Sequence, residues 1–222
     1  MTRIGHVIAL ALLAAVFFAT PVASADPIVG LFNTGVDSSN SLLSNGSSDP
    51  HYVLVGPPPS AQCPLCSGNA VARATDAAWI SPPSGSKWIG PIDNNDAPGG
   101  VVYQYTITFS LTNLDPDSAV ISGLWSSDNG SFILLNGVDT GLTNGDAGSR
   151  AFDFMTPLFI DSGFTSGANT LTFVVGNNGG GPTSLLVSGL TGSANPIPEP
   201  STLSLVLTGL LLLARRPTRR CS

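Results

Sequence analysis

One uninterrupted alternation of side chains, running from Val101 to Leu111, constrains the fold of this chain more than any other segment. A period of two places alternate side chains on opposite faces of an extended strand. The face expected to be buried carries Val101, Tyr103, Tyr105, Ile107, Phe109 and Leu111, whereas the other face is mostly polar. The segment therefore predicts a half-buried strand in an antiparallel sheet.

Shorter apolar runs recur along the chain and predict further strands. They lie at Tyr52–Val55, Trp79–Ile80, Lys87–Ile89, Ala119–Trp125, Ser131–Leu135, Ala151–Phe154, Leu158–Ile160, Thr170–Val175 and Leu185–Leu190. Turn-rich clusters separate them, including Asp128-Asn129-Gly130, which suits positive φ, and Asn136-Gly137, which suits a type I′ hairpin turn. No helical periodicity persists in this region. The pattern predicts an all-β fold, an antiparallel β-sandwich of the jelly-roll type, over residues 26–192.

Two segments of this domain resemble a known family. Residues 123–137, with Trp-x-x-Asp-Asn and a later Asn-Gly, resemble a segment of galactose-binding-like jelly rolls, which include accessory domains of many glycoside hydrolases. Residues 169–178 are similar to that family's N-x-L-x-F-x-V-x-N strand. The resemblance implies a galactose-binding-like sandwich that contacts carbohydrate, and the candidate ligand-binding residues are Trp125, Asp128, Asn129 and Asn136.

The three tryptophans are the large aromatic rings on which a sugar could stack. A pyranose places its C–H face on such a ring while its hydroxyl groups make hydrogen bonds to polar neighbours. Trp79, Trp88 and Trp125 each have a second interpretation, because large aromatic residues are usually buried in a core. The sequence leaves both interpretations open.

The C-terminal residues combine a Pro-Glu-Pro motif, an uncharged apolar run and a cluster of arginines, in that order. This arrangement resembles the PEP-CTERM sorting signal, which an exosortase, a membrane-embedded cysteine transpeptidase, processes in other bacteria. The sorting and processing residues that it implies are Pro198, Glu199, Pro200, Ser201, Arg215 and Arg216. A helix over residues 201–214 would span roughly 21 Å, short of the ~30 Å hydrocarbon core, which suits a temporary anchor. The alternative is an ordinary tail anchor.

The N-terminus predicts export independently. Residues 1–25 have a basic start, an apolar stretch and an A-x-A cleavage site formed by Ala23 and Ala25, as signal peptidase requires. We expect the mature chain to begin at Asp26; an uncleaved helix is the alternative. The expected organisation is a signal peptide (1–25), the β-sandwich (26–192), a Pro-rich linker with the motif (193–200), a sorting helix (201–214) and a basic cytoplasmic tail (215–222). The predicted destination is the cell surface or the exterior, after transient anchoring in the inner membrane.

Charge and cysteine content narrow the functional classes. Between Asp26 and Pro200, three cations face fourteen acids, a net charge of −11, which excludes nucleic-acid binding through net charge. Cys63 and Cys66 form a C-x-x-C pair, which predicts a disulfide in an oxidising compartment. A thioredoxin-like site or a zinc site would need neighbouring elements or ligands that the sequence lacks.

Catalytic and metal signals are weak. His51 is the only histidine after the signal peptide, and no G-x-S-x-G elbow accompanies it. No cofactor is expected except a structural calcium ion, for which the candidate oxygen ligands are Asp93, Asn95 and Asp96, or Asp115 and Asp117. These residues also suit turns. We predict a non-catalytic surface or extracellular-matrix protein that contacts exopolysaccharide; the alternative is a divergent extracellular carbohydrate-active hydrolase that uses paired aspartates.

Overall fold

The computed structural model describes residues 24–57, 66–93, 97–146 and 148–197, together with Gly209. Within them the fold is all-β, as predicted, and the short 3₁₀ helices span Pro116–Ser118 and Ala151–Asp153. The strands are β1 (Asp26–Pro27), β2 (Ser48–Val55), β3 (Ser67–Ala72), β4 (Ile89–Gly90), β5 (Val101–Ser110), β6 (Val120–Asp128), β7 (Ser131–Leu135), β8 (Val138–Thr143), β9 (Thr156–Ile160), β10 (Ala168–Asn177) and β11 (Ser184–Ala194).

These strands form one antiparallel sheet that closes over itself as a sandwich. Their order is β8-β7-β10-β5-β2-β3-β4-β11-β6-β9, with β1 beside β11. Side chains from β5, β7 and β10 share one core with side chains from β6, β9 and β11, as expected of two sheet layers packed face to face. Strands β8 and β9 are the two edges of the sheet.

Strand β5 has the predicted alternation. Tyr103, Tyr105, Ile107 and Phe109 are at most 2% exposed, whereas Val102 on the opposite face is 50% exposed. Burying each of the large side chains contributes roughly 1.5–3 kcal/mol, so this strand supplies a large part of the core. Strand β10 pairs with it along its whole length, and β2 pairs with residues 104–107 on its other side.

Two predicted strands are wrong, and a third, Lys87–Ile89, shares only Ile89 with β4. Trp79–Ile80 lies in a turn region, and Ala151–Phe154 mostly forms a 3₁₀ helix. Backbone N–H of Ile80 donates to the carbonyl oxygen of Phe152 at 2.8 Å, so these segments meet each other. Their aromatic side chains form a second small core with Trp88 and Leu186. Both segments are therefore rich in buried apolar residues, and a short apolar run of this kind predicts a strand when the sequence is taken alone.

The strands that were not predicted are β1, β3 and β8, because they contain few large apolar residues. Neighbouring strands supply their hydrogen bonds, and this tertiary context outweighs their weak intrinsic preference. Strand β7 has the predicted bounds, and β10 and β11 extend beyond theirs.

The hairpin between β7 and β8 has the predicted turn. Asn136 and Gly137 have φ values of 52° and 79°, as a type I′ turn requires, and Leu135 pairs with Val138 across it. The expectation of positive φ at Asp128-Asn129-Gly130 is wrong, since none of these residues has it, and the Asp128–Asn129 peptide is cis.

Several predicted segments lie outside the described residues. These are residues 1–23 of the signal peptide, Cys63, the Pro-Glu-Pro motif, the sorting helix apart from Gly209, and the basic tail. In the part of the chain that is described, no helix has the length and apolar character needed to cross a membrane.

Candidate functional site

Trp125 is a core residue, which corrects its assignment as a ligand platform. Its side chain is 0% exposed, and its indole Nε1 donates to Oγ of Ser131 at 3.1 Å. Ser131 belongs to a buried polar group in which Ser127 donates to it at 2.8 Å and the Asn144 amide donates to Ser127 at 2.9 Å. These contacts satisfy the indole N–H inside the sandwich. Because the side chain is fully buried, its ring face is unavailable to a sugar.

Trp79 and Trp88 are also buried, at 6% and 0% exposure, and their ring centroids lie 4.6 Å apart. The guanidinium of Arg73 lies over the Trp79 ring at 4.7 Å from its centroid. All three tryptophans therefore have the core interpretation that the sequence left open.

Asp128 is held inside the protein beside these rings. It is 6% exposed, and its Oδ2 accepts a hydrogen bond from Trp79 Nε1 at 2.9 Å. Burial raises the pKa of Asp128 to about 6 and outweighs the Trp79 hydrogen bond and the nearby Arg73 charge, which lower it. Thr183 Oγ1 donates to its backbone carbonyl at 2.6 Å. The side chain thus positions the adjoining segments and is not presented to a ligand.

Asn129 and Asn136 also join loops together. Oδ1 of Asn129 accepts from the backbone N–H of Asn178 at 3.3 Å. The Asn136 amide donates to Asn169 Oδ1 at 2.8 Å, and Asn136 Oδ1 accepts from the backbone N–H of Thr170 at 2.9 Å. The Asn-Gly motif therefore fixes the β7–β8 hairpin against the start of β10.

The two outer asparagines of the N-x-L-x-F-x-V-x-N strand have a comparable role. Asn169 is 1% exposed, and its amide donates to the carbonyl oxygens of Thr165 and Gly167 at 2.7 and 3.1 Å. Asn177, at 2% exposure, donates to the carbonyl oxygen of Pro98 at 3.1 Å. Each end of β10 is thereby tied to a neighbouring loop, while the alternate apolar residues enter the core.

A pocket of about 280 Å³ lies between the edge strands β8 and β9, and we call it the edge pocket. It is small for a ligand pocket, a class that begins at about 300 Å³. Its lining residues are Leu135, Val138, Asp139, Thr140, Phe159, Ile160, Asp161, Ser162 and Gly163. The pocket thus combines an aromatic ring, aliphatic groups, hydroxyl groups and two carboxylates.

Phe159 is the exposed ring of the edge pocket, at 58% exposure. Strand pairing holds its backbone, because Phe159 pairs with Ser122 of β6 and its neighbours Leu158 and Ile160 are buried. Val138 on the other edge strand is 70% exposed. A strand paired to β6 therefore presents an aromatic ring to solvent beside a second apolar group.

The polar side of the edge pocket comes from Asp139 and Asp161, both of which are exposed. Oδ1 of Asp139 accepts from the backbone N–H of Gly141 at 2.8 Å, which sets the direction of that carboxylate. The Asn136 amide also donates to the carbonyl oxygen of Gly163 at 3.2 Å. Asn136 thereby connects the two walls of the pocket without lining it.

Sequence reasoning missed the edge pocket. It placed Phe159 in a strand, but no local signal showed that the strand is an edge or that β8 exists. The alternation of Phe159 between Leu158 and Ile160 was the signal that could have marked it as outward-facing.

The predicted metal and disulfide residues are only partly described. Asp115 Oδ1 accepts from Asp117 N–H at 3.1 Å as a turn cap, and Asn95 and Asp96 lie outside the described residues. Among the residues that are described, no three His, Cys, Asp or Glu side chains group as a metal ion requires. Cys66 is buried and disulfide-bonded.

Comparison with known proteins identifies no family for this chain. No family model matches it, and no curated protein is significantly similar to it. A solved structure of a family 35 carbohydrate binding module from an environmental isolate is similar over 65% of this chain and 98% of that chain, at 17% identity and a TM-score of 0.33. A likeness this distant assigns neither a family nor a ligand.

Proposed function

We propose that this protein is an exported, non-catalytic surface or extracellular-matrix protein that binds exopolysaccharide through the edge pocket. The observation that carries the proposal is the exposed ring of Phe159, 58% accessible, in one pocket with the carboxylates of Asp139 and Asp161. A sugar ring offers an apolar C–H face and a rim of hydroxyl groups. In the edge pocket, the Phe159 ring could stack on the C–H face, and the carboxylates of Asp139 and Asp161 could accept hydrogen bonds from the hydroxyl groups.

Thr140 and Ser162 add hydroxyl groups to the same pocket. A second depression, of about 330 Å³, is lined by Gly100, Val101, Val102, Asn177 and Asn178, and these lining residues provide no aromatic ring. The edge pocket is therefore the better candidate, because a stacking ring supplies the non-polar part of sugar recognition.

The same carboxylates sustain one alternative, a carbohydrate-active hydrolase that uses Asp139 and Asp161 as its acid–base pair. Glycosidases place two carboxyl groups on either side of the scissile bond, and the acid is usually sheltered in an apolar environment. Both aspartates here are exposed. This exposure favours binding over hydrolysis.

Delivery to the exterior belongs to the same proposal and rests on the sequence. We assign export to the signal peptide and sorting to Pro198-Glu199-Pro200, with signal peptidase and an exosortase-type enzyme as partners. The backbone N–H of Ile197 donates to the carbonyl oxygen of Asn113 at 2.9 Å, so the residue that precedes the motif is attached to the sandwich. We also assign the sandwich to the jelly-roll, galactose-binding-like type, supported by the resemblance of residues 123–137 and 169–178 to segments of that family.

Binding is tested with the full chain, purified in a nonionic detergent, on a glycan array and on exopolysaccharide from its own host. Retention is expected for the wild type and for Asp146→Asn, a control beyond the far end of β8, and is expected to be lost in Phe159→Ala. Absence of retention on every glycan overturns the binding proposal, and release of new reducing ends by the wild type but not by Asp161→Asn supports the hydrolase.

Sorting is tested by intact mass spectrometry of the product in its own host. A chain that starts at Asp26 and ends between Pro198 and Ser201 is expected, with processing lost in Glu199→Ala. A membrane-bound product with an intact tail contradicts the sorting proposal and leaves the binding proposal untouched.

A further inference from the structure

We infer that the edge pocket selects a polysaccharide bearing free amino groups, such as a de-N-acetylated hexosamine polymer, over neutral and uronic-acid polymers. The inference rests on the proposed function and names the ligand class of the same pocket. It follows from the distribution of charge, taken together with the exposed ring.

Three cationic side chains lie in the described part of the chain, and each one is engaged. Arg73 is 4% exposed and therefore inaccessible to a polymer. Lys87 Nζ donates to the carbonyl oxygen of Leu43 at 2.8 Å. Arg150 forms an ion pair with Asp153 at 2.8 Å. A uronate or sulfated polymer would approach a body of net charge −11 whose three cations are respectively buried, hydrogen-bonded to a backbone carbonyl and ion-paired.

The edge pocket, by contrast, is lined by two negatively charged side chains, which suit a positively charged ligand. Asp139 uses one carboxylate oxygen for Gly141 N–H, and it lines the pocket together with Asp161, which lies on the segment after β9. An ammonium group carries three donors and one positive charge, so carboxylates are its natural acceptors. An ammonium bound there would leave the sugar's C–H face free to lie on Phe159.

The ring is what separates this ligand from a cationic peptide. A flexible lysine chain could satisfy the carboxylates but has no rigid C–H face for Phe159, which is 58% exposed on a paired strand. The pocket volume of about 280 Å³ also fits a small unit better than a long side chain with its backbone. Stacking and charge together therefore favour an amino sugar.

Isothermal titration of the full chain in detergent tests this with four hexamers: glucosamine, N-acetylglucosamine, galacturonate and lysine. At 50 mM salt, glucosamine is expected to bind about tenfold more tightly than N-acetylglucosamine, with no binding of galacturonate. At 0.5 M salt this preference should fall below about twofold, because screening removes the ionic contribution.

Matched variants identify the groups responsible. Asp161→Asn and Asp139→Asn should each weaken glucosamine binding by up to about fivefold, the range of exposed ion pairs. They should weaken N-acetylglucosamine binding less, because asparagine keeps an acceptor oxygen for sugar hydroxyls but loses the charge. Asp146→Asn, another exposed aspartate, should change neither. Phe159→Leu should weaken both sugars.

The outcomes separate the inference from the proposed function. If N-acetylglucosamine or galacturonate binds as tightly as glucosamine, the amino-sugar inference fails and polysaccharide binding stands. If the lysine hexamer binds as tightly as glucosamine, the pocket recognises charge alone and the inference is also overturned. If no sugar binds, the proposed function itself fails.

Discussion

The side-chain amide of Asn136 donates to Oδ1 of Asn169 at 2.8 Å, and this bond joins the β7–β8 hairpin to the first residues of β10. Asn169 in turn accepts from the backbone N–H of Thr165 at 2.8 Å. The loop after β9 is therefore held to the hairpin by asparagine side chains. This loop and the hairpin form opposite walls of the edge pocket. The bond between Asn136 and Asn169 therefore fixes the position of the two walls, although neither residue lines the pocket.

Replacing Asn136 with alanine should lower both stability and sugar binding. The variant loses the hydrogen bonds to Asn169, Gly163 and Thr170. It also places alanine at φ 52°, a strained conformation that asparagine tolerates better because its side chain forms local hydrogen bonds. We expect a loss of about 2–3 kcal/mol in the free energy of unfolding, measured by urea denaturation.

Asn136→Gly separates the two contributions. Glycine adopts positive φ freely but makes no side-chain hydrogen bonds, so its loss should be about 1 kcal/mol smaller than that of Asn136→Ala. Equal stability of the wild type and the glycine variant would show that the asparagine bonds do not hold the two walls together.

The sequence predicted much of the scaffold and little of the site, for a physical reason. The alternation at residues 101–111 reports burial on one face directly, and Asn136-Gly137 reports backbone geometry directly. Exposure of Phe159 depends on which strand is the edge, and burial of Trp125 depends on the two sheet layers that pack around it in one core. Local patterns carry no information on such long-range neighbours.

Phe159 and Trp125 should respond to substitution in opposite ways. Phe159→Ala should change the free energy of unfolding by less than about 1 kcal/mol, because the ring is 58% exposed, and should weaken sugar binding at least tenfold. Trp125→Phe should cost about 2–3 kcal/mol through lost volume and the lost bond to Ser131, with sugar affinity unchanged within about twofold. Urea denaturation measures the stability of both variants, and calorimetry measures their sugar affinity. If only the Trp125 variant lost sugar binding, the binding site would lie at Trp125 and not at Phe159.

Asp128 should make stability depend on pH. Its pKa is raised by burial from 3.8 to about 6, so folding takes up a proton at this residue between those values. The stabilising contribution is complete below pH 3.8 and is lost as the pH rises through about 6. Relative to the wild type, Asp128→Asn should therefore gain up to about 3 kcal/mol of unfolding free energy between pH 3.5 and pH 7.

Urea denaturation at several pH values measures this difference. Asparagine keeps an acceptor for Trp79 Nε1, which lies 2.9 Å from Asp128 Oδ2, so the comparison isolates the charge. Other carboxylates titrate in both proteins and cancel in the difference. A difference that stays constant from pH 3.5 to pH 7 contradicts the buried position of Asp128.

Gly130 and Gly137 provide a matched pair of glycine substitutions in the two turns beside β7. A Cβ at Gly130 would overlap the carbonyl oxygens of Gly145 and Asp146, whereas a Cβ at Gly137 meets nothing within 4 Å and bears only the strain of φ 79°. Gly137→Ala should therefore cost about 1–2 kcal/mol, a shift of roughly 2–8 °C in melting temperature. Gly130→Ala must displace backbone, so it should lower the melting temperature by more than 10 °C or prevent accumulation of folded protein. Thermal unfolding followed by circular dichroism measures both, and equal melting temperatures would mean that the 145–146 segment does not pack against this turn.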